Sequence, residues 1–511
     1  MTFLRHASLP AFPLSTPRLA GGALYLLLTL SGLVGSWMIL RGYGHLAFAA
    51  LLLVPLVMII LLRWQRGLYA LLAYVPVAGV VSLGLSPWQG WPLLNPVLYK
   101  DWFFVVPMYL GYLGFLVLRR ERLPHLPTSV TLSLLALGLV VIAQMANPGV
   151  PNILTALIGA KVWLFYIPLY LLAYSLVTSS RDLWHLFRLL IVLAILPCAV
   201  GIAEYVLAQS LGYAATMNAI YGASAAQATQ EYTSFQIGGG ILSRIPSTFT
   251  FITQYFGFTL AMLVPCYVSW RSDPSIRWRK FARWVLLLVT VASFLSGARA
   301  AFVFVPLLLA FMYGLDRGFT GALRAALYIC VSLSAMLSLA RMTAKGMFEH
   351  VSELFLNYAV GPAYGGLYLA ITSMPLGSGT GTNTGPARYA FIRPEFYLAI
   401  ENYYAKAVYE LGIPGLLVVL AVLAALVRLG LRNRRRLIGS PLRVPACALL
   451  AFILTMALNS FKGWLLDLDP INVYFWVFAG VLARLPALTD LPRVSTKSEP
   501  GMGEISCASS T

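Results

Sequence analysis

Charged residues are scarce in this chain of 511 residues: they make up 10% of it, whereas hydrophobic residues make up 59%. Because a soluble globular chain is about one quarter charged, this composition excludes an ordinary soluble domain. The apolar residues form runs of about 18–22 residues, each long enough to cross a bilayer as a helix. They do not alternate with polar residues, as the strands of an outer-membrane barrel do. The sequence therefore predicts an all-α polytopic membrane protein.

Acidic residues are scarcer still, with 17 Asp and Glu against 36 Lys and Arg and a net charge of +19. We predict about 12–14 transmembrane helices from the hydrophobic runs. The predicted spans lie near 20–40, 45–62, 68–86, 102–118, 129–146, 161–178, 187–208, 250–270, 282–297, 300–315, 321–340, 404–429, 443–460 and 470–486.

The basic residues fall in alternate connections between these spans. They are Arg63, Arg66, Arg119, Arg120, Arg122, Arg181, Arg188, Arg271, Arg277, Arg279, Lys280, Arg283, Arg317, Arg324, Arg432, Arg434, Arg435, Arg436 and Arg443. The positive-inside rule places such connections, and both termini with them, in the cytoplasm. The excess of positive charge thus indicates topology, and we expect no nucleic-acid partner.

Cysteine and histidine are also rare, with five of each. Four cysteines lie singly inside predicted spans, so no disulfide framework or CxxC metal pattern is present. The sequence has no H-x-x-H, HExxH or G-x-S-x-G motif, and we expect neither a metal site nor a hydrolase triad. We interpret the first hydrophobic run as an uncleaved helix. Residues 1–486 form the predicted membrane domain, and 487–511 a disordered cytoplasmic tail.

Two long connections are predicted on the extracytoplasmic side, at 209–249 and 341–403. Long loops in a compact membrane bundle are functional or disordered, and these two are not of low complexity. The second loop has stretches with helical apolar spacing, Gly-rich turns and balanced charges. We therefore predict a partly helical cap over the outer end of the bundle.

Four segments converge on this outer face: 243–258 with Arg244, 295–302 with Arg299, the Gly-rich turn 375–383, and 399–415. Lys161 adds a cation at the outer end of its span. Clustered cations suit a phosphate or pyrophosphate, which guanidinium groups bind with two hydrogen bonds. The turn PLGSGTGTN brings backbone N–H groups near an anion or is a plain loop, and the sequence leaves both readings open.

Glu204 lies within a predicted span, near its outer end. A carboxyl group is costly inside a membrane, which makes this residue a functional candidate. Its position near the end of the span also allows the side chain to reach water. The sequence does not decide between these alternatives.

The ordered set of segments resembles the O-antigen ligase and O-antigen polymerase superfamily of bacterial envelope proteins over about residues 155–420. The family pattern H-N-x-Y-L-x-x-L-x-E-x-G-x-x-G is similar to the stretch from residue 401, which has Glu401, Asn402, Tyr403, Tyr404, Ala405, Val408, Glu410, Gly412 and Gly415. LSGARAAF resembles the family's S-x-S-R-x-x segment, with Ser296 and Arg299 kept. RIPSTF resembles R-x-x-G-T-F, with Ser247 in place of the glycine. MPLGSGTG resembles the family's P-x-G-x-G turn.

The resemblance implies a multi-pass glycosyltransferase on the outer face of the bacterial inner membrane. Its donor would be a glycan on undecaprenyl pyrophosphate, transferred to a hydroxyl with inversion and without metal or cofactor. Other polysaccharide assembly proteins are expected partners besides this donor and the bilayer. We expect Glu401 to be catalytic. The expected substrate-binding residues are Arg244, Arg299, Lys161, Asn402, Tyr404, Arg388 and Arg393.

Glu401 stands where the family pattern has histidine, and this departure favours an exopolysaccharide or O-antigen polymerase over a ligase that joins glycan to lipid A–core. A carboxylate with a pKa near 4.3 is a weaker base than imidazole, and partial burial would strengthen it. The alternative role is a carboxylate that stabilises a helix N-terminus, where Asn402 would be the cap. The alternative protein classes are a transporter or flippase of lipid-linked glycans and a non-catalytic assembly subunit.

Overall fold

A computed structural model describes residues 44–84, 99–221, 234–237, 240–318, 364–385 and 401–489, with single residues between 320 and 361. The first half contains α1 (Gly44–Leu62), α2 (Trp64–Tyr74), α3 (Ala78–Gly84), α4 (Val106–Arg119, extended at its start by a π-turn Asp101–Val105), α5 (Thr128–Met145), α6 (Ile153–Leu164), α7 (Pro168–Leu176), α8 (Ser180–Leu211) and α9 (Tyr213–Tyr221). The second half contains α10 (Ile252–Ser272), α11 (Ile276–Leu295), α12 (Ala301–Arg317), α13 (Gly366–Ser373), α14 (Tyr403–Arg436), α15 (Arg443–Asn459) and α16 (Ile471–Arg484).

The predicted all-α polytopic architecture is confirmed. Seven helical segments of the described chain are long and apolar enough to cross a membrane: Asp101–Arg119, Thr128–Met145, Ile153–Leu176, Ser180–Leu211, Ile252–Ser272, Tyr403–Arg436 and Ile471–Leu488. The predicted span 20–40, and most of 321–340, lie outside the described residues. The predicted tail, 487–511, also lies outside the described residues from residue 490 onward. Its first two residues, 487 and 488, belong to a 3₁₀ turn, Leu485–Leu488.

One feature of the outer connection 209–249 differs from the all-helical expectation. After α9, strands β1 (Ser234–Ile237) and β2 (Gly240–Ser243) pair antiparallel, with Ser234 opposite Ser243. This is a two-stranded hairpin, and it leads directly into the segment that starts at Arg244.

The helices differ in how much of their surface faces outward. α10 and α16 are buried along most of their length, whereas α5 exposes Leu132, Leu135, Leu139 and Ile142 along one face. Such an apolar outer face is expected where the surrounding medium is lipid. Small residues allow close helix contacts inside: a Cβ added at Gly480 on α16 would lie 2.2 Å from the Tyr170 carbonyl oxygen on α7. α16 is thus a central helix of the bundle.

The two ends of the bundle have different chemistry. At one end, basic side chains bridge neighbouring helices: Arg188 binds Asp273 at 2.7 Å, and Arg271 binds Asp316 at 3.0 Å. Arg484 donates to the Val177 carbonyl oxygen at this end, at 3.0 Å. The opposite end carries the connections 244–251, 296–300 and 460–470, the Gly-rich turn and the start of α14. The basic loops and these connections thus lie at opposite ends of the bundle, and the side of the membrane that each end faces stays a prediction.

We expect the two ends to be accessible from opposite sides of the membrane. Tyr364 and Arg435 are both exposed, at the site end and at the basic end respectively. A membrane-impermeant thiol reagent added outside intact cells should label Tyr364→Cys but not Arg435→Cys, and permeabilisation should expose both. Labelling of Tyr364→Cys only after permeabilisation would contradict this orientation.

Candidate functional site

The segments that carry Arg244 and Arg299 lie against each other. The Ile245 N–H donates to the Ser296 carbonyl oxygen at 3.0 Å, which joins the chain before α10 to the turn between α11 and α12. This turn is tight because the Ser296 hydroxyl donates to the Ser293 carbonyl oxygen at 2.7 Å and accepts from the Ala298 N–H at 3.2 Å. Arg299 is consequently held at the end of the bundle opposite the basic loops, where it is partly buried.

Ser247 has an unusual backbone conformation, with φ of +54°. Residues with side chains rarely adopt this region, which favours glycine. Two contacts hold it there: its N–H donates to the Glu204 carboxyl group at 2.9 Å, and its hydroxyl donates to the Pro197 carbonyl oxygen at 2.6 Å. Ser247 occupies the position where the family segment has glycine. The backbone at this position therefore has a conformation that glycine adopts without strain.

Glu204 is buried, with 2% of its surface exposed, so its side chain does not reach water. One of its oxygens accepts the Ser247 N–H, and the other has no hydrogen-bond partner among the residues that the structure describes. The residue therefore fixes the loop that starts at Arg244. Through its hydrogen bond to Ser247, Glu204 positions the segment that carries Arg244.

The start of α14 lies beside the connection between α15 and α16. The Tyr403 N–H donates to the Ser460 carbonyl oxygen at 2.9 Å. Asn402 is fully buried and caps the helix, since its side-chain oxygen accepts the N–H groups of Tyr404 at 2.9 Å and Ala405 at 3.2 Å. The predicted cap is confirmed. Glu401 precedes it and is exposed.

Tyr404 is buried, and its hydroxyl donates to the Ala457 carbonyl oxygen at 2.7 Å. Its ring packs edge-on against Phe461, with the ring centroids 4.7 Å apart. Asn402 and Tyr404 were both expected to bind substrate. Their described contacts include the backbone of α14 and α15 and the Phe461 ring, and they stabilise the start of α14, which Glu401 precedes.

Arg244, Arg299 and Glu401 act on one another electrostatically, and Lys462 joins them. Burial lowers the pKa of Arg244; the neighbouring Arg299 lowers it further, and Glu401 raises it. Burial lowers the pKa of Lys462 to about 8, and Arg299 and Arg244 add to that effect, whereas Glu401 opposes it. Three cationic side chains and one carboxylate thus form a cluster at the end of the bundle opposite the basic loops. Such a cluster attracts anions, because an anion relieves the repulsion among its cations.

The Gly-rich turn is organised by Glu410, a fully buried residue of α14. One carboxylate oxygen accepts the Trp163 indole N–H at 2.7 Å and the Gly381 N–H at 3.2 Å. The other accepts the Asn383 N–H at 3.0 Å and the Thr384 hydroxyl at 2.9 Å. Two N–H groups of the turn therefore do approach an anion, and that anion is a side chain of the protein itself.

The turn also fills a break in α14. Gly412 has φ of +74°, and Pro414 follows it, so the helical hydrogen bonds are interrupted there. The turn supplies the missing partners: the Ser378 N–H donates to the Tyr409 carbonyl oxygen at 2.7 Å, and the Ile413 N–H donates to the Pro375 carbonyl oxygen at 2.8 Å. Because backbone groups at membrane depth need partners from the protein, the turn and the break stabilise each other.

We expect Glu410→Gln to destabilise the protein. The amide keeps the volume, but its NH₂ group would face N–H donors, and a buried donor without an acceptor costs about 1–3 kcal/mol. The midpoint of thermal unfolding in detergent should fall clearly below that of the wild type. Glu401→Gln is the matched control, since Glu401 is exposed, and its midpoint should change little. Equal midpoints for Glu410→Gln and the wild type would contradict this role.

Lys161 belongs to a second polar cluster. It forms an ion pair with Asp101 at 2.5 Å, and Asp101 also accepts the Tyr166 hydroxyl at 2.5 Å. The Lys100 ammonium group donates a hydrogen bond to the Tyr166 hydroxyl and forms an ion pair with Asp469 at 2.5 Å. The structure therefore pairs Lys161 with a carboxylate. Its described contacts do not include Arg244 or Arg299.

A small cleft with a volume of about 30 Å³ lies between α5, α6, α14 and α16. Leu137, Val422 and Phe475 contribute to its apolar lining, and Asp467 lies at its polar end. Asp467 forms an ion pair with the buried Lys406, whose ammonium group lies 4.9 Å from the centroid of the Trp163 ring. The cleft is thus apolar along its length and charged at one end.

The sequence analysis missed several of these residues. Lys462, Asp467 and Asp469 all lie in FKGWLLDLDP, between the last two spans. A signal was present for Lys462, because a lysine in a connection predicted to be extracytoplasmic runs against the positive-inside rule, which concerns Lys and Arg and not Asp. Arg388 and Arg393 lie outside the described residues. Within the described part of the chain, no group of three His, Cys, Asp or Glu side chains is arranged to hold a metal ion.

No protein-family model matches this sequence, and no curated protein matches it significantly.

Proposed function

We propose that the protein is a membrane glycosyltransferase that uses a glycan linked to undecaprenyl pyrophosphate, on the outer face of the bacterial inner membrane. The observation that carries this proposal is the cluster of Arg244, Arg299, Lys462 and Glu401 at the end of the bundle opposite the basic loops. Cations suit the pyrophosphate, and a carboxylate suits the acceptor hydroxyl.

In the proposed reaction, the acceptor hydroxyl oxygen attacks the anomeric carbon of the donor sugar. The bond from that carbon to the pyrophosphate oxygen breaks, and its electron pair leaves with undecaprenyl pyrophosphate. The hydroxyl proton passes to the Glu401 carboxylate. Arg244 and Arg299 stabilise the charge that develops on the leaving pyrophosphate. Attack from the face opposite the leaving group inverts the anomeric carbon.

The local geometry around Arg244 supports the family resemblance on which this proposal draws. Ser247 has a positive φ where the family segment has glycine. Glu410 and Gly412, two residues of the family-like pattern after Glu401, hold the Gly-rich turn and break the helix. Glu410 and Gly412 therefore each have a structural role that explains why the pattern requires a glutamate and a glycine at these positions.

A transporter of lipid-linked glycans is the main alternative from another class. Transporters use broken helices to place unpaired backbone groups around a substrate near the middle of the membrane. α14 is broken at Gly412, which favours this alternative. However, the turn at 375–385 occupies that break and pairs with its backbone groups. This favours a transferase whose site lies further out, at Glu401.

The glycans that accumulate in a deletion strain test the function. A polymerase predicts single repeat units on undecaprenyl pyrophosphate, facing outward. Long chains that stay unattached to lipid A–core would indicate a ligase. Inward-facing units would indicate a flippase and would contradict the proposed transfer activity.

A further inference from the structure

Lys462 lies in the short connection that follows α15. Its N–H donates to the Asn459 carbonyl oxygen at 2.8 Å, which closes the turn at the end of that helix. In the same turn, the Ser460 carbonyl oxygen accepts the Tyr403 N–H, two residues after Glu401. Backbone hydrogen bonds therefore place the Lys462 turn beside Glu401.

The charged groups that act on Lys462 come from three other elements. Arg299 lies in the turn between α11 and α12, Arg244 precedes α10, and Glu401 precedes α14. Two of these three groups are cations, and Lys462 is partly buried among them. An ammonium ion in this position is repelled by its neighbours and has lost part of its hydration.

We propose that Lys462 is a third pyrophosphate-binding cation of this site, and that it takes up a proton as the pyrophosphate binds. This inference rests on the proposed function, because it assumes a pyrophosphate ligand. It assigns different tasks to the three cations. The two arginines carry their charge at all relevant pH values, whereas the lysine gains its charge when the ligand arrives.

The physical basis is the change in the surroundings of the amine. Burial and the nearby Arg299 and Arg244 lower the pKa of Lys462 to about 8. An anion within hydrogen-bonding distance favours the charged amine, so the pKa of Lys462 is higher in the complex. Before the anion binds, a neutral Lys462 amine thus avoids part of the repulsion by Arg244 and Arg299.

The sign of the pH dependence follows from linkage. Below about pH 8 the free protein already carries the proton on Lys462, and the affinity for the anion is at its full value. Between this pKa and the higher pKa of the complex, binding requires proton uptake. There the affinity falls by up to about tenfold per pH unit. Lys462→Arg would remove this loss of affinity with rising pH, because arginine keeps its charge.

Calorimetric titration of the full-length protein with inorganic pyrophosphate, between pH 7 and pH 9.5, tests the inference. Lys462→Arg should bind with nearly wild-type affinity at pH 7 and should show only the titration of pyrophosphate itself. Relative to that variant, the wild type should lose affinity above about pH 8. Lys462→Met should bind about 10–100-fold more weakly at pH 7, the usual cost of losing a charged hydrogen bond. Lys280→Met, an exposed lysine at the basic end, should behave as the wild type.

Buffers of different ionisation enthalpy give the proton uptake directly. At pH 8 the wild type should take up about half a proton more than Lys462→Arg, as expected for a group near its pKa. Equal uptake and parallel pH profiles for these two proteins would overturn the inference. If Arg299→Ala abolishes binding but Lys462→Met does not, only the role of Lys462 fails. If the wild type does not bind pyrophosphate, the proposed function fails with it.

Discussion

Glu401→Gln is expected to lower the rate of glycan transfer by about 10²–10⁴-fold, the usual contribution of a general base. Glutamine keeps the volume and hydrogen-bonding capacity of the side chain but cannot accept the proton of the acceptor hydroxyl. Because Glu401 precedes the capped N-terminus of α14, it also has an alternative structural role there. Loss of a favourable interaction with the helix dipole would cost only about 0.3–1 kcal/mol of stability and leave the rate nearly unchanged.

Binding of the donor separates these two roles further. Glu401 is the negative member of a cluster with Arg244, Arg299 and Lys462. Its neutralisation should leave pyrophosphate binding intact or strengthen it, so the loss should appear in kcat and not in KM. Glu401→His restores the residue of the family pattern and should keep measurable activity. Glu121→Gln, an exposed carboxylate at the basic end, is the matched control. A wild-type kcat in Glu401→Gln would reduce Glu401 to a helix-stabilising role.

Arg299→Ala is expected to lower the transfer rate by about 10²–10³-fold, as does the loss of one donor that stabilises a developing negative charge. Arg299→Lys should recover only part of this loss, because an ammonium group cannot make the paired hydrogen bonds of a guanidinium. The turn at 296–300 is held by Ser296 and its backbone contacts, so neither change should unfold it.

The same substitution should not weaken the fold. Arg299 lowers the pKa of both Arg244 and Lys462, which means that these three cations repel one another. Removing one of them should leave the unfolding midpoint unchanged or raise it slightly, a pattern typical of functional residues. Arg277→Ala, an exposed arginine at the basic end, is the control for both measurements. Wild-type transfer by Arg299→Ala at a normal protein level would remove Arg299 from the site.

The fold class and the gathering of the site residues at one end of the bundle could be predicted from the sequence, because both follow from local patterns. Hydrophobic runs give the helices, and the placement of arginines gives their direction. Once direction is known, Arg244, Arg299 and Glu401 fall on one face although they are up to 157 residues apart in the chain. The cap on Asn402 was equally predictable, since it depends only on the next three residues.

The pairing of buried charges could not be predicted in this way. Glu410 accepts hydrogen bonds from Trp163, 247 residues away, and Lys161 pairs with Asp101 on another helix. Such partners depend on how the helices pack, and the pattern along a single helix does not contain that information. For the same reason, the turn at 375–383 was predicted as either an anion site or a plain loop, and Glu410 proved to be its anion.

The most direct measurement of the central claim uses purified protein in liposomes with an undecaprenyl-pyrophosphate-linked glycan and an acceptor. We predict that undecaprenyl pyrophosphate is released in step with formation of the new glycosidic bond. This release should be lost in Arg299→Ala and strongly reduced in Glu401→Gln. Transbilayer movement of the intact donor without cleavage of its sugar–phosphate bond would contradict the account. So would product formation that is equal in the wild type and both variants.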